Sequence, residues 1–412
     1  MLIDFLKRTA FYSLLATVLA LSFSITLYEA ASVVFVVAAF SAMILERDAR
    51  LLRGRWFIFI AVYFIANLLS FVHTGYPVDS LKGITRILRL LLLSLGVVYI
   101  VDSEEKFKKV FGWTMIVAFC AGVDGLLQGF TGFEIVRQRA MTAYTLTAGR
   151  ITASFRHSND FAAYLTLVIF LFLGSLAEFK RSKTSPRKIL FSILGAALLC
   201  ACLLWTYCRG AWLGVAVAFF VMALLKKKKI LLAVLALGVL WAVFLSPPML
   251  RDRFRSLLDP HNGTITERKV LAEESLDMID QHPWFGMGIN TFSDNAPFYK
   301  SKTHITDVQY AHNGYLQMTV ETGIVGLLSF LCLLFYFFSA TLPVFLKPEP
   351  GCLEIGGAAL VFGVLAFLIH SFTDTNLHSL LLVANLWVFM GLAMAAVKLI
   401  DPQRVCGRGA RR

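Results

Sequence analysis

The stretch IVGLLSFLCLLFYFFSATLPVF, residues 324–345, decides the fold class of this protein. It carries no charged side chain, and as a helix it is long enough to cross the hydrocarbon core of a bilayer, which takes about 20 residues. A helix that is apolar on all sides has no face for water, so it needs lipid or a large protein core around it. The stretch therefore predicts a transmembrane helix.

Similar apolar stretches recur along the whole chain of 412 residues, which is 58% hydrophobic and only 16% charged. Soluble domains carry about 25% charged residues, so a soluble enzyme, a disulfide scaffold and a disordered chain are all excluded. The sequence predicts twelve spans, at residues 11–27, 31–45, 56–72, 84–101, 110–130, 161–177, 189–207, 211–225, 230–245, 324–345, 355–372 and 380–399.

We expect an all-α, polytopic integral membrane protein with about 12 transmembrane helices. Residues 1–412 are interpreted as a single membrane domain. A large periplasmic helical loop lies between the ninth and tenth helices, and residues 246–322 are expected to form a loop subdomain within that domain.

The formal net charge of +13 is interpreted as loop charge that sets membrane topology, and no nucleic-acid partner is expected. Most lysines and arginines fall on one side of the predicted spans if the N-terminus is cytoplasmic. An even number of spans then places both termini in the cytoplasm. The N-terminus lacks a small-residue cleavage site after a short apolar region, which predicts a retained first span.

Several arginines lie on the opposite side, where the topology rule predicts few: Arg86, Arg89, Arg150, Arg156 and Arg209. The planar guanidinium fork suits phosphate oxygens and keeps its charge when partly buried, so an anionic ligand is the simplest explanation. Other interpretations stay open. Arg86 and Arg89 could snorkel to the interface or pair internally with Asp124, and Arg209 could contact phospholipid headgroups.

The long loop contains TITERKVLAEESLDMIDQHP, which predicts a helix with Ala272, Leu276 and Ile279 as its apolar stripe. Arg268 lies in the first turn, where the helix macrodipole disfavours a cation. Either Glu267 or an anionic ligand would offset this. The following WFGMGINTF, residues 284–292, predicts a tight turn onto the membrane face.

His312 stands where the chain re-enters the membrane, in AHNGYLQMTVETG. A lone interfacial histidine is usually structural, yet this one is the group there that can take a proton near neutral pH. The following segment predicts a short helix broken at Gly323, with Glu321 near the interface. Asp374 and His378, in the last outer turn, are candidates to orient His312.

The sequence has no HExxH motif, no Cys/His cluster and no nucleotide-binding glycine motif, so neither a metal site nor a cofactor is predicted. ATP-driven transport and metal-dependent phosphate chemistry have no support in the sequence.

Three segments together resemble the O-antigen ligase and polymerase superfamily. They are Arg209 followed by Gly-Ala-Trp, Arg268 with HPWFGMG downstream, and His312-Asn313 leading to Glu321-Thr-Gly323. The resemblance extends over most of the chain, including the spans, the long loop and SFRHSNDFAAYL. One departure is that Lys269 follows Arg268 and no Trp stands four positions later.

This resemblance implies a metal-independent, GT-C type glycosyltransferase that needs no cofactor. Its partners would be an undecaprenyl-diphosphate-linked glycan donor, a lipid A–core acceptor and membrane lipids, with the active site at the periplasmic face of the bacterial inner membrane. The length and compact loop favour a ligase. A polymerase of the same superfamily is the alternative, and a secondary transporter or flippase for an anionic solute is the alternative from another class.

Under this interpretation Arg209 and Arg268 stabilise the departing diphosphate, and His312 accepts the proton of the acceptor hydroxyl in a direct, inverting displacement. The remaining predicted substrate-binding residues are Arg86, Arg89, Arg150, Arg156, Asn159, Asn313, Tyr315, Glu321 and Asp374.

Overall fold

The computed structural model describes residues 1–140, 149–178, 185–240, 244–255, 263–299, 310–347 and 349–406. The structure is 81% helical, and its strands are a two-residue antiparallel pair, Phe133–Glu134 and Arg139–Ala140. The predicted all-α class is therefore confirmed.

The helices in the described residues, numbered in chain order, are α1 Leu2–Phe23, α2 Ile25–Leu45, α3 Arg55–Leu69, α4 Pro77–Ile100, α5 Glu104–Thr131, α6 Ser158–Glu178, α7 Pro186–Trp205, α8 Arg209–Leu225, α9 Lys229–Leu240, α10 Pro248–Arg255, α11 Gly263–Gln281, α12 Phe292–Asn295, α13 Gly314–Phe345, α14 Cys352–His370, α15 Leu380–Ile400 and α16 Pro402–Cys406. Each of the twelve predicted spans overlaps one of these helices. The first predicted boundary is wrong, because α1 ends and α2 begins at Ser24, inside the predicted span 11–27. Residues 241–243 of the predicted span 230–245 lie outside the described residues.

Nine helices in the described residues are long and apolar enough to cross a membrane: α2 to α7 and α13 to α15. The other three predicted spans fall on α1 and on two shorter apolar helices, α8 with 17 residues and α9 with 12. The described part of α9 is about 18 Å long at 1.5 Å per residue. The protein is a multi-pass membrane protein, and the count of twelve stays a prediction.

The last long helix, α15, lies at the centre of the bundle. Its apolar window is 94% buried inside the protein, against 33% for α7, which lies at the periphery. Helix α15 packs against α4 and α14. Peripheral helices leave large apolar side chains exposed, Ile65 and Phe335 among them, as expected of surfaces that meet lipid rather than water.

The segment between α9 and α13 has a small core of its own, in which Leu271, Met278 and Met287 pack with residues of α12 and early α13. The predicted loop helix is confirmed as α11. Its predicted stripe is partly wrong, because the buried face runs through Leu271, Ser275 and Met278, one position earlier, and leaves Leu276 53% exposed. The division into a membrane domain and a loop subdomain stays a prediction.

Helix α13 is broken at Gly323, whose φ of +68° and ψ of −176° are not helical. This confirms the predicted break. Gly286 and Gly288 of the loop, both with positive φ, lie against the broken turn, and the amide of Gly288 donates to the carbonyl of Glu321 at 3.0 Å. A Cβ on Gly323 would overlap the carbonyl oxygen of Trp284, so only glycine permits this approach of two backbones.

Candidate active site

His312 opens the segment that re-enters the bundle, immediately before α13. Its φ of +49° lies in the left-handed region, which non-glycine residues adopt rarely and which recurs at functional sites. The next residue, Asn313, caps α13 by accepting from the amides of Tyr315 and Leu316 at 3.0 and 3.1 Å. The cap fixes the start of the helix and leaves the His312 side chain 45% exposed at its end.

Asp374, in the turn between α14 and α15, lies beside His312. Its Oδ1 is 3.7 Å from His312 Nδ1, an ion-pair distance that is longer than a hydrogen bond. The same oxygen accepts from the amide of Thr375 at 2.8 Å. Because Nδ1 faces the carboxylate, the second ring nitrogen of His312 remains for a substrate proton. The structure thus brings together the two residues that the sequence analysis paired.

A chain of hydrogen bonds extends from Asp374 into the protein. Asn159 Nδ2 donates to Asp374 Oδ2 at 2.6 Å, and Arg150 Nη2 donates to Asn159 Oδ1 at 2.6 Å. Arg150 Nε also donates to the carbonyl of Thr206 at 2.8 Å, just before α8. Asn159 therefore holds the Asp374 carboxylate, 215 residues later in the sequence, in one orientation, and Arg150 holds Asn159.

Asp374 is buried but stays ionised at neutral pH. Burial alone raises the pKa of its carboxyl, but the contact with His312, the nearby His370 and the Thr375 amide outweigh burial and lower the pKa to about 2. A carboxylate that is charged throughout the neutral range stabilises a positive charge on the adjacent imidazole. This is the electrostatic requirement for a histidine that receives a proton.

A cluster of four guanidinium groups, Arg150, Arg209, Arg253 and Arg268, adjoins this pair. The charge of Arg209 is repelled by the other three, although α8, α10, α11 and the segment before α6 lie apart in sequence. Arg268 also acts electrostatically on His370, which in turn lies in range of Asp374. Mutual repulsion between cations is offset when an anion with several oxygens binds among them. We call these four residues the arginine cluster.

The arginine cluster and His312 therefore surround one region of the protein. Part of the chain that contributes to this region is similar to a known protein family. Residues 194–331 match the O-antigen ligase family. The resemblance seen in the sequence is confirmed, and the matching segment includes Arg209, Arg268 and His312.

The chain is also similar to the teichuronic acid biosynthesis protein TuaE of Bacillus subtilis (strain 168). The two are 20% identical over 370 residues, which cover 84% of this chain and 72% of the relative. The similarity thus extends beyond the O-antigen ligase segment, across most of the membrane helices. Both comparisons agree with the superfamily that the sequence resembles.

Three of the predicted arginines, Arg86, Arg89 and Arg156, lie outside the arginine cluster. Arg89 forms a bidentate ion pair with Glu29, with Nη2 2.7 Å from Oε1, and its guanidinium lies 5.3 Å from the ring centre of Tyr28. It therefore joins α2 to α4 and does not enter the arginine cluster. Asp124, the alternative partner considered for it, instead accepts from the amides of Ile135 and Val136. The partner of Arg89 is a residue that the sequence analysis did not consider.

Arg86 and Glu321 line a separate cavity between α3, α4, α13 and α15. Glu321 is buried there and lies 3.6 Å from His378, so His378 orients Glu321 and not His312. Arg156 is exposed on the segment before α6, in electrostatic range of His157 and Asp160. The hydroxyl of Tyr315 donates to the carbonyl of Leu368 at 2.9 Å, which anchors α13 to α14.

The sequence analysis missed three residues of this site. Arg253 was not singled out, although it lies in the long loop between α9 and α13. Cys208 and His370 form a buried contact of 3.3 Å between Sγ and Nε2, next to Arg209 and Asp374. Burial raises the pKa of the Cys208 thiol to about 11, so the thiol is neutral. In the sequence, only His370 carried a sign of a role here, because it stands four residues before Asp374.

The described residues contain no group of three or more His, Cys, Asp or Glu side chains that could hold a metal ion. The polar groups that converge on the site are instead guanidinium groups, one imidazole and one carboxylate. Such a set can bind a polyanion and accept a proton next to it.

Proposed function

We propose that this protein is an O-antigen ligase, which moves a glycan from undecaprenyl diphosphate to a sugar hydroxyl of lipid A–core. The observation that carries the proposal is the convergence of the arginine cluster with the Asp374–His312 pair. A glycosyl transfer needs an anion site for the leaving diphosphate and a base for the acceptor hydroxyl, and guanidinium groups and an imidazole are groups of these two kinds.

In the proposed reaction, the acceptor hydroxyl gives its proton to the ring nitrogen of His312 that does not face Asp374. Its oxygen attacks the anomeric carbon from the side opposite the diphosphate, so the configuration inverts. The carbon–oxygen bond to the diphosphate breaks, and its electron pair remains on the diphosphate. Arg209 and Arg268 stabilise that charge through paired N–H donors.

We also propose a location for the protein and an orientation in the membrane. We place the protein in the bacterial inner membrane, with both termini in the cytoplasm and residues 246–322 in the periplasm, since most lysines and arginines fall on the side of the termini. The active site then faces the periplasm, where the glycan donor and lipid A–core would meet.

A polymerase that extends the glycan on its lipid carrier is the second candidate. It is favoured by the name of the similar protein TuaE, which concerns teichuronic acid rather than an O-antigen. The arginine cluster and His312 serve either reaction, because both displace a diphosphate with a sugar hydroxyl.

One assay separates these candidates. Purified protein is incubated with a diphosphate-linked glycan, once alone and once together with lipid A–core, and is also reconstituted into vesicles. Glycan attached to lipid A–core supports the ligase, and a longer glycan on the carrier supports the polymerase. Uptake of glycan into vesicles without transfer supports a transporter.

His312→Ala and Arg268→Ala are expected to abolish transfer. Arg404→Ala serves as the matched control, because Arg404 pairs with Asp401 near the C-terminus, away from the site. Wild-type activity in either site variant at equal expression would refute the assignment.

A further inference from the structure

The cavity that contains Arg86 and Glu321 has a lining unlike that of the arginine cluster. It offers amide, carboxylate, imidazole and guanidinium groups from Asn67, Gln317, Glu321, His378 and Arg86, over an aromatic floor that includes Trp387. The cavity is partly enclosed by protein and opens to solvent at its mouth. Mixed planar polar groups and an aromatic floor suit a sugar ring, which has polar edges and apolar faces.

Arg86 is the side chain in this cavity that lacks a partner. Among the described residues it forms no hydrogen bond and no ion pair within 4.0 Å, in contrast to Arg89, one turn further along α4. The guanidinium carries five N–H donors. Arg86 is half-buried, and most residues of its helix α4 are apolar. A cation in this position calls for oxygen acceptors from a ligand.

The other charged group of the cavity is already occupied. Glu321 Oε2 accepts from the amide of Asn290 at 2.9 Å, and Oε1 accepts from Gln317 Nε2 at 3.3 Å. His378 Nδ1 lies 3.6 Å from the same Oε1. This buried carboxylate repels a phosphate group. The lining therefore favours hydroxyl oxygens over a second anion, although Arg86 alone would suit either.

The floor is aromatic and rigid. Tyr63 and Trp387 lie with ring centres 6.1 Å apart and planes inclined by 27°, and Phe330 packs against Tyr63 at 5.4 Å. Aromatic faces of this kind pack against the C–H face of a pyranose, while its hydroxyl groups turn to the polar wall.

The cavity shares a wall with the candidate active site. Gly314 and Leu377 line it, and they are two and three residues from His312 and Asp374. The amide of Gly314 donates to the carbonyls of Ser371 and Asp374 at 2.8 and 3.0 Å, which holds the wall in place. A saccharide chain that reaches His312 with one residue can therefore place an adjoining residue in the cavity.

We propose that this cavity is a saccharide subsite that binds one sugar residue of the acceptor glycan, next to the residue whose hydroxyl reacts. Arg86 donates to hydroxyl oxygens of that sugar, and the aromatic floor packs against its ring. The subsite rests on the proposed function for its role in transfer. It sets acceptor specificity, whereas the arginine cluster binds the donor.

The kinetic test compares Arg86→Gln with Lys82→Gln in the purified full-length protein. Lys82 is the matched control, because it carries the same charge on α4 but is exposed and pairs with Asp79 at 2.8 Å. Arg86→Gln is expected to raise the KM for lipid A–core about tenfold or more, with the KM for the lipid-linked donor unchanged within twofold. Lys82→Gln is expected to change neither. A rise in the donor KM, or an unchanged acceptor KM, would overturn the subsite.

A binding test separates failure of the subsite from failure of the proposed function. Lipid-free core oligosaccharide is the probe, measured by equilibrium dialysis against wild type, Arg86→Gln and Met318→Phe, which adds bulk to the cavity wall. The subsite predicts that both variants lose binding and that the wild type retains it. Equal binding by all three proteins would overturn the proposal. Binding that is lost in the variants, without any glycan transfer by the wild type, would sustain the subsite and refute the transferase.

Discussion

Replacement of Asp374 by Asn tests the centre of the mechanism with almost no change in shape. Asp374 Oδ1 accepts from Thr375 and faces His312, and Oδ2 accepts from Asn159. Either orientation of the new amide places its NH₂ group against a donor. Asn159 cannot flip to compensate, since its oxygen already accepts from Arg150. The substitution therefore removes the negative charge and breaks the hydrogen-bond chain together.

The size of the effect follows from the 3.7 Å separation of His312 and Asp374. Two unit charges at that distance interact by about 4 kcal/mol at an effective dielectric constant of 20. Because half of the His312 side chain is open to solvent, we take about half of this value, about 2 kcal/mol. If the interaction stabilises the imidazolium in the transition state, kcat falls about 30-fold.

The assay is the initial rate of glycan transfer by purified protein at saturating donor and acceptor. Asp401→Asn is the matched control, since Asp401 forms an exposed ion pair with Arg404 near the C-terminus. We expect that control to retain wild-type kcat. Thermal unfolding of each variant in detergent establishes that equal amounts of folded protein are compared.

A kcat for Asp374→Asn within threefold of the wild type, at equal folded fraction, would refute the role of Asp374. A loss as large as that of His312→Ala would show instead that the carboxylate is needed to build the site. The expected result lies between these limits.

Four further outcomes are expected. Gly323→Ala lowers Tm strongly, because the left-handed backbone and the clash with a facing carbonyl together cost more than about 1–2 kcal/mol. Gly112→Ala is the control, since a Cβ at Gly112 meets open space, and it leaves Tm unchanged. Arg268→Gln reduces the rate of transfer at least about 100-fold. The substitution does not lower Tm, because it relieves charge repulsion in the arginine cluster. Added pyrophosphate raises the Tm of the wild type but not that of the variant. Asn159→Leu lowers kcat without changing the donor KM, because it leaves Asp374 unoriented; a raised donor KM would contradict this role. Folding lowers the pKa of Asp374 to about 2, so its ionised carboxylate contributes about 2 kcal/mol to the free energy of unfolding above about pH 4. This contribution is lost as the pH falls towards 2. The Tm difference between wild type and Asp374→Asn should therefore shrink over that interval.

The sequence predicted a structural feature correctly where the residues that cause the feature all lie in one short segment. The break at Gly323 follows from a glycine in an otherwise apolar helix, and it is confirmed. The turn predicted at residues 284–292 contains Gly286 and Gly288, which both have positive φ. The helix at residues 263–281 follows from its polar and apolar period. Its buried face was misassigned by one position, because Ala272 and Leu271 are both apolar and only the neighbouring elements select between them.

Contacts between residues that are far apart in the sequence could not be predicted from local sequence patterns. Arg89 belongs with Glu29, sixty residues earlier, and not with Asp124. The orientation of Asp374 depends on Asn159 and Arg150, and neither carries a local sign of that contact. Hydrogen bonds between helices depend on which helix faces which, and a uniformly apolar span gives no preferred face from its own sequence.

The amino-acid sequence by itself determined that the chain crosses a membrane many times and that His312 stands at a helix start. Only the tertiary structure decided which cations act together. Arg150, Arg209, Arg253 and Arg268 meet because α8, α10, α11 and the segment before α6 converge at one end of the bundle, whereas Arg86 and Arg89, one turn apart on α4, point to different neighbours. Hydropathy is a sum over consecutive residues and is readable along the chain. A binding site is a set of distances between residues remote in sequence, and packing alone fixes those distances.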